Sequence, residues 1–124
     1  RDLSEWQRLA LALAVVLVPG PRLLSLDEPP RGLDYGAKER LVVQLRDQAA
    51  RGRAVLMATH DVELVAEVAD RVVVLADGEV VDDGRARHVV CGSPVFAPQV
   101  ARIMAPEEWL TVHEVAAALD GAAP

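Results

Sequence analysis

The sequence predicts an α/β fold: a parallel sheet with flanking helices and, toward its C-terminal side, a β-hairpin. Three observations carry this reading. Short, almost wholly apolar runs at Leu23–Leu26, Ala54–Ala58 and Arg71–Leu75 have the length of strands covered on both faces. Segments with helical spacing lie between them, and strand, helix, strand, helix, strand is the order that right-handed parallel crossovers produce. Finally, Asp77 and Gly78 form a two-residue turn signal between Val72–Leu75 and Glu79–Val81, which reads as an antiparallel hairpin.

Each element has a local reason. Ser4 followed by Gln7 has the form of a capping box, in which both side chains satisfy free amides at a helix start. A helix over Glu5–Val18 follows, rich in Leu and Ala, and Pro19, Gly20 and Pro21 end it. Its apolar run, Leu9–Val18, is too short to cross a hydrocarbon layer of about 30 Å and reads as a buried helix. Asp34 can cap a second helix over Tyr35–Ala50, where Leu41, Leu45 and Ala49 recur at four-residue spacing and Gly52 offers a stop. Thr59, His60 and Asp61 interrupt the chain after the second strand, and a short helix carrying Leu64, Val65 and Val68 leads to the third. Beyond Gly84 the pattern is mixed. A short helix is expected near Arg87–Val90, another opened by Pro98 and reaching Met104, and a last capping box at Thr111 and Glu114, with the Ala-rich end after Asp120 frayed.

Composition narrows the function. The 124 residues fit one domain, and 52% hydrophobic residues suffice for a core. A formal net charge of −6 argues against a broad phosphate-backbone-binding surface, so nucleic acid is not expected as a partner. Cys91 stands alone, permitting no internal disulfide and fitting a reducing compartment.

The chemistry concentrates where strands end. Asp27 and Glu28 close the first apolar strand, and ligands of such sheets gather outside the carboxyl ends of the strands. Successive strand residues alternate between faces, so the two acids should have different jobs. One can hold the water shell of a hard cation such as Mg²⁺, and the other can orient or deprotonate a water. The plainer alternative is that both merely open a polar loop. His60 after the second strand, taken alone, reads as a satisfied structural residue.

Taken together, LSEWQ at Leu3–Gln7, LLSLDEPP at Leu23–Pro30, GLD at Gly32–Asp34 and VLMATHD at Val55–Asp61 resemble the C-terminal half of the ATPase domain of ABC transporters. In that family the order is signature sequence, Walker B strand, D-loop and switch histidine. The resemblance implies the C-terminal part of a P-loop NTPase (RecA-like) sheet over residues 1–90, with 91–124 as a partly helical C-terminal extension. It makes Asp27 the Walker B carboxylate holding the Mg²⁺ water shell and Glu28 the catalytic carboxylate that polarises the attacking water. His60 becomes the switch histidine contacting the γ-phosphate of ATP, and Asp34 the D-loop aspartate that links two domains. Ser4 and Gln7 become the signature residues facing an ATP held by a partner subunit. The stretches ATHDVELVAEVADRVVVLADGEVV and SPVFAPQVARIM look most like the ATPases of energy-coupling-factor vitamin or metal importers. Implied partners are a second ABC ATPase domain, identical or not, and transmembrane transporter subunits. The implied location is cytoplasmic, at the inner face of the cell membrane.

Two departures stand out. Glu5 and Trp6 occupy the places where the family usually has two glycines, adding a charge and an indole where close approach to phosphate is wanted. Pro30 stands where threonine or serine is common. The phosphate-cradling GxxxxGK[ST] loop and the Q-loop glutamine do not occur in the sequence, so a fragment of a longer ATPase is expected, inactive by itself and with apolar surface and a strand edge left uncovered. A non-catalytic remnant or assembly module remains the alternative, and a DNA-repair-type ABC ATPase a more distant one.

Overall fold

The computed structural model describes residues 2–93, 97–104 and 109–121. They gather into two compact units, residues 1–60 and 61–124.

The first unit is a helix, a strand, a helix and a strand. Helix α1 spans Glu5–Leu17, β1 Leu23–Asp27, α2 Tyr35–Ala50 and β2 Ala54–Ala58. The Ser4–Gln7 capping box closes as expected: the Gln7 amide donates to Ser4 Oγ at 3.2 Å, and the Ser4 amide donates to Gln7 Oε1 at 2.9 Å. β1 and β2 pair in parallel, with Leu23 opposite Ala54 and Asp27 opposite Ala58. The ladder extends beyond the strands at both ends, through Ala54 N–H to the Arg22 carbonyl at 2.9 Å and Glu28 N–H to the Ala58 carbonyl at 2.8 Å. Helix α2 packs on β2 and contributes Ala37, Leu41 and Leu45 to the buried core, with Leu24 buried on β1.

Two expectations fail here, for one physical reason. Helix α1 forms but is not buried: Leu13 is its one buried residue, while Leu11, Val15, Val16 and Val18 are exposed, Val18 at 84%. Nor is the sheet covered on both faces. Burial alternates along β1 and β2, and Leu23 and Leu56 stand exposed on the face away from Leu24. An apolar run records that a residue type suits a covered position; it does not supply the cover, and among the described residues of this unit only one side of the sheet receives a helix.

The second unit begins with α3 at Val62–Val68, capped by Asp61, whose Oδ1 accepts from the Leu64 amide at 3.0 Å. β3 (Arg71–Ala76) and β4 (Glu79–Arg85) form an antiparallel pair. The turn between them places Asp77 at φ 52° and Gly78 at φ 80°, the left-handed geometry that a two-residue hairpin demands. Among the described residues the ladder partner of β3 is β4. A two-residue turn brings the next strand alongside at once, with far less chain to order than a parallel partner requires. Arg71 and Asp83 bridge the pair through two hydrogen bonds of 2.8 and 2.6 Å, and that guanidinium holds the Asp83 carboxyl below its ordinary range.

Helices α4 (Ala86–Gly92), α5 (Gln99–Ile103) and α6 (Val112–Gly121) complete the unit around a cluster of Val90, Ala101 and Leu110. Pro98 directly precedes α5, and Thr111 and Glu114 form the last capping box, with Thr111 Oγ1 accepting from the Glu114 amide at 3.2 Å. Part of the SPVFAPQVARIM stretch, 94–96, and the end of the Ala-rich tail, 122–124, lie outside the described residues.

Candidate functional site

The carboxyl ends of β1 and β2 meet because the parallel register aligns Asp27 with Ala58, so the next residues, Glu28 and Thr59, arrive side by side. Glu28 leaves the extended conformation there, with φ 46°. A non-glycine residue in this left-handed region costs about 1–3 kcal/mol and persists where its surroundings over-determine it. Pro29 and Pro30 follow, both buried, and turn the chain away. The two acids therefore diverge through a backbone switch at Glu28, and not through strand alternation alone.

Three hydrogen bonds converge on the Glu28 carboxylate. Thr59 Oγ1 donates to Oε2 at 3.1 Å, the His60 amide donates to Oε1 at 3.1 Å, and His60 Nδ1 lies 2.8 Å from Oε1. The bond from the His60 ring is the chief cause that holds this carboxyl below its ordinary value, opposed by partial burial and aided by Thr59. Glu28 is half-buried, its side chain 31% exposed, whereas the His60 side chain is 88% exposed. The arrangement can keep a carboxylate ionised and aimed at the strand ends, with an imidazole free on its outer side.

Of the residues singled out by sequence, Glu28 and His60 are the pair brought into contact. Asp27 ends β1 beside them with an exposed side chain that, among the described residues, makes no hydrogen bond or ion pair. No group of three or more His, Cys, Asp or Glu side chains gathers among the described residues. Asp34 caps α2, accepting from the Ala37 amide at 2.8 Å. Ser4 and Gln7 are engaged with each other. Glu5 packs toward Gly32, where an added Cβ would lie 3.4 Å from Glu5 Cγ, and Trp6 sits under the Arg40 guanidinium at 6.0 Å. LSEWQ and GLD are thus in contact within one unit. The residue that sequence reading treated only as a flank is Thr59, and the parallel register is the signal that would have found it.

Several known proteins are similar to this chain in sequence. Residues 6–66 match a family model described as "AAA domain, putative AbiEii toxin, Type IV TA system". A Streptomyces avermitilis protein named "Putative ABC transporter ATP-binding protein" is 66% identical over 119 residues, covering 96% of this chain and 21% of that protein. The Streptomyces coelicolor "Fe(3+) ions import ATP-binding protein FbpC" is 52% identical over 82 residues, 65% of this chain and 23% of its own length. "Energy-coupling factor transporter ATP-binding protein EcfA2" of Clostridium perfringens is 40% identical over 89 residues, 71% of this chain and 31% of its length. The chain spans about a fifth of the length of the first of these relatives. In sequence and in its α/β fold with a parallel strand pair, these likenesses support identifying the chain as part of an ABC-type ATPase domain.

Proposed function

We propose that these residues form the hydrolytic part of an ABC-type ATPase that powers a membrane importer. The observation that carries the reading is the triply bonded Glu28 carboxylate at the ends of two parallel strands, beside an exposed histidine. In this mechanism Glu28 accepts a proton from a water whose oxygen attacks the γ-phosphorus of ATP. The bond from that phosphorus to the bridging oxygen breaks, and its electron pair leaves with ADP. A depressed carboxyl is ionised at neutral pH but a weaker base than a free one, and its basicity rises when the His60 ring bond, the chief cause of the depression, is released. His60, with its side chain 88% exposed, would turn from Glu28 and donate that ring N–H to a γ-phosphate oxygen as charge develops. Asp27 would hold Mg²⁺ through its water shell, and the ion would supply positive charge against the phosphates. By the family resemblance Asp34 would face a second ATPase domain, and Ser4 and Gln7 the ATP held by that partner; here the three side chains cap α2 and α1.

Glu28→Gln tests the reading in the full-length protein that carries these residues. Nucleotide binding should persist while turnover falls by about 10² to 10⁴, the usual cost of losing a proton-accepting side chain. Unchanged hydrolysis would remove Glu28 from the chemistry. Likeness to the named iron and energy-coupling-factor ATPases supports an importer with transmembrane partners and a place at the inner membrane face, and the energy-coupling-factor type is the narrower proposal. None of the helices among the described residues is long and apolar enough to cross a membrane itself.

One observation favours a second reading, a non-catalytic assembly module: Glu5 and Trp6 fill the start of α1 and pack against Gly32 and Arg40. Isothermal titration with MgATP separates the two. Binding without hydrolysis in the unmodified full-length protein selects the module.

A further inference from the structure

We propose that Thr59 is a positioning residue for this reaction: its hydroxyl fixes which oxygen of Glu28 is presented to the attacking water. The inference rests on the hydrolytic reading above and deepens it. An ionised carboxylate has about four lone-pair sites. Two bonds from His60 fall on Oε1 and one from Thr59 on Oε2, so Oε2 is the oxygen with spare acceptor capacity.

The three bonds are not equally steady. The His60 imidazole is 88% exposed, free to leave Oε1 for a phosphate oxygen, and when it turns its Nδ1 bond is lost. Thr59 is half-buried, and its β-branched side chain has few χ1 choices. It follows β2 directly, where Glu28 N–H to the Ala58 carbonyl at 2.8 Å locks the two backbones in register. Thr59 therefore keeps Glu28 from following the imidazole. The left-handed backbone at Glu28, φ 46°, is a sparsely populated conformation that persists where its surroundings hold it, and the Thr59 bond is one such hold beside the backbone bond to Ala58.

The test uses the full-length protein with MgATP and four variants. Thr59→Val keeps the shape and removes the hydroxyl. It should lower kcat about ten- to a hundredfold, the scale of a misdirected catalytic group, with KM for ATP changed less than about twofold. Thr59→Ser should restore kcat to within about threefold of the parent, which a purely packing role would not produce. Should Thr59→Val unfold early, Thr59→Ala is read in its place with the same expectation. Glu28→Gln is the companion control. If it abolishes turnover while Thr59→Val matches the parent, the positioning role is overturned and the hydrolytic reading stands. If Glu28→Gln retains turnover, both fall. Equal loss in Thr59→Val and Thr59→Ser also overturns the role, because shape and not the hydroxyl would then matter.

Discussion

The tip of the parallel strand pair and the first turn of α1 hold their polar groups in opposite ways. At the tip, side chains 31 and 32 residues apart in sequence converge on one carboxylate, and they do so only because β1, β2 and α2 pack as they do. At the start of α1, Ser4 and Gln7 are three residues apart and satisfy each other. Order at the first place is tertiary; at the second it is local and accompanies the helix wherever the helix forms. A constellation drawn from distant residues that leaves acceptor capacity open is suited to chemistry, whereas a closed local box is accounted for by the helix it begins.

The strongest way to break this contrast is to loosen the packing. Leu41 is fully buried on α2, and Leu41→Ala should cost about 2–5 kcal/mol, the lost burial plus the cavity left behind. Urea unfolding measures the cost. Backbone and side-chain NMR of the surviving folded state should show the His60 amide losing its partner before the Gln7 amide does. If both amides change together, α1 depends on the same packing and the distinction fails.

A smaller effect sharpens it from the other side. Ser4→Ala removes the cap acceptor and should cost about 1 kcal/mol of helix stability, while Ser4→Asp should recover most of it. The Glu28–His60 contact should be untouched in both. In the full-length protein, a hydrolysis defect in Ser4→Asp despite the restored helix would assign Ser4 to nucleotide, which capping alone does not require.

Sequence made the local features legible and left the relational ones hidden. Tyr35–Ala50 and Ala54–Ala58 form over the expected residues, and all three expected caps close, because caps, propensities and stops act over a few residues. Asp27, Glu28 and His60 were visible as polar residues interrupting apolar strands. What joins them was not. Thr59 gains its bond to Glu28 through strand register, which depends on pairing 31 residues away, and the left-handed backbone of Glu28 is one its residue type does not favour. The exposure of α1 was hidden for the same reason: an apolar run does not say which element lies against it.

The smallest effect compares the two capping boxes with each other. Gln7 closes the first and does not titrate; Glu114 closes the second. Burial pushes the Glu114 carboxyl up, but the Leu110 amide at 2.6 Å, the Arg87 guanidinium and the Thr111 amide outweigh it and hold the group below its ordinary value of 4.5. A depressed carboxyl contributes its stabilisation at pH above that ordinary value and loses it as pH falls through the lowered one. Acidification should therefore shift the Leu110 and Thr111 amide resonances and fray α6 from its start, while the Ser4 amide, bonded to a neutral amide oxygen, holds steady over the same range. Glu114→Gln should abolish the pH response and retain the box, since glutamine offers the same acceptor. A Ser4 amide that moves in step with Leu110 would mean that the two boxes do not differ in the way their closing side chains require, and the comparison would fail.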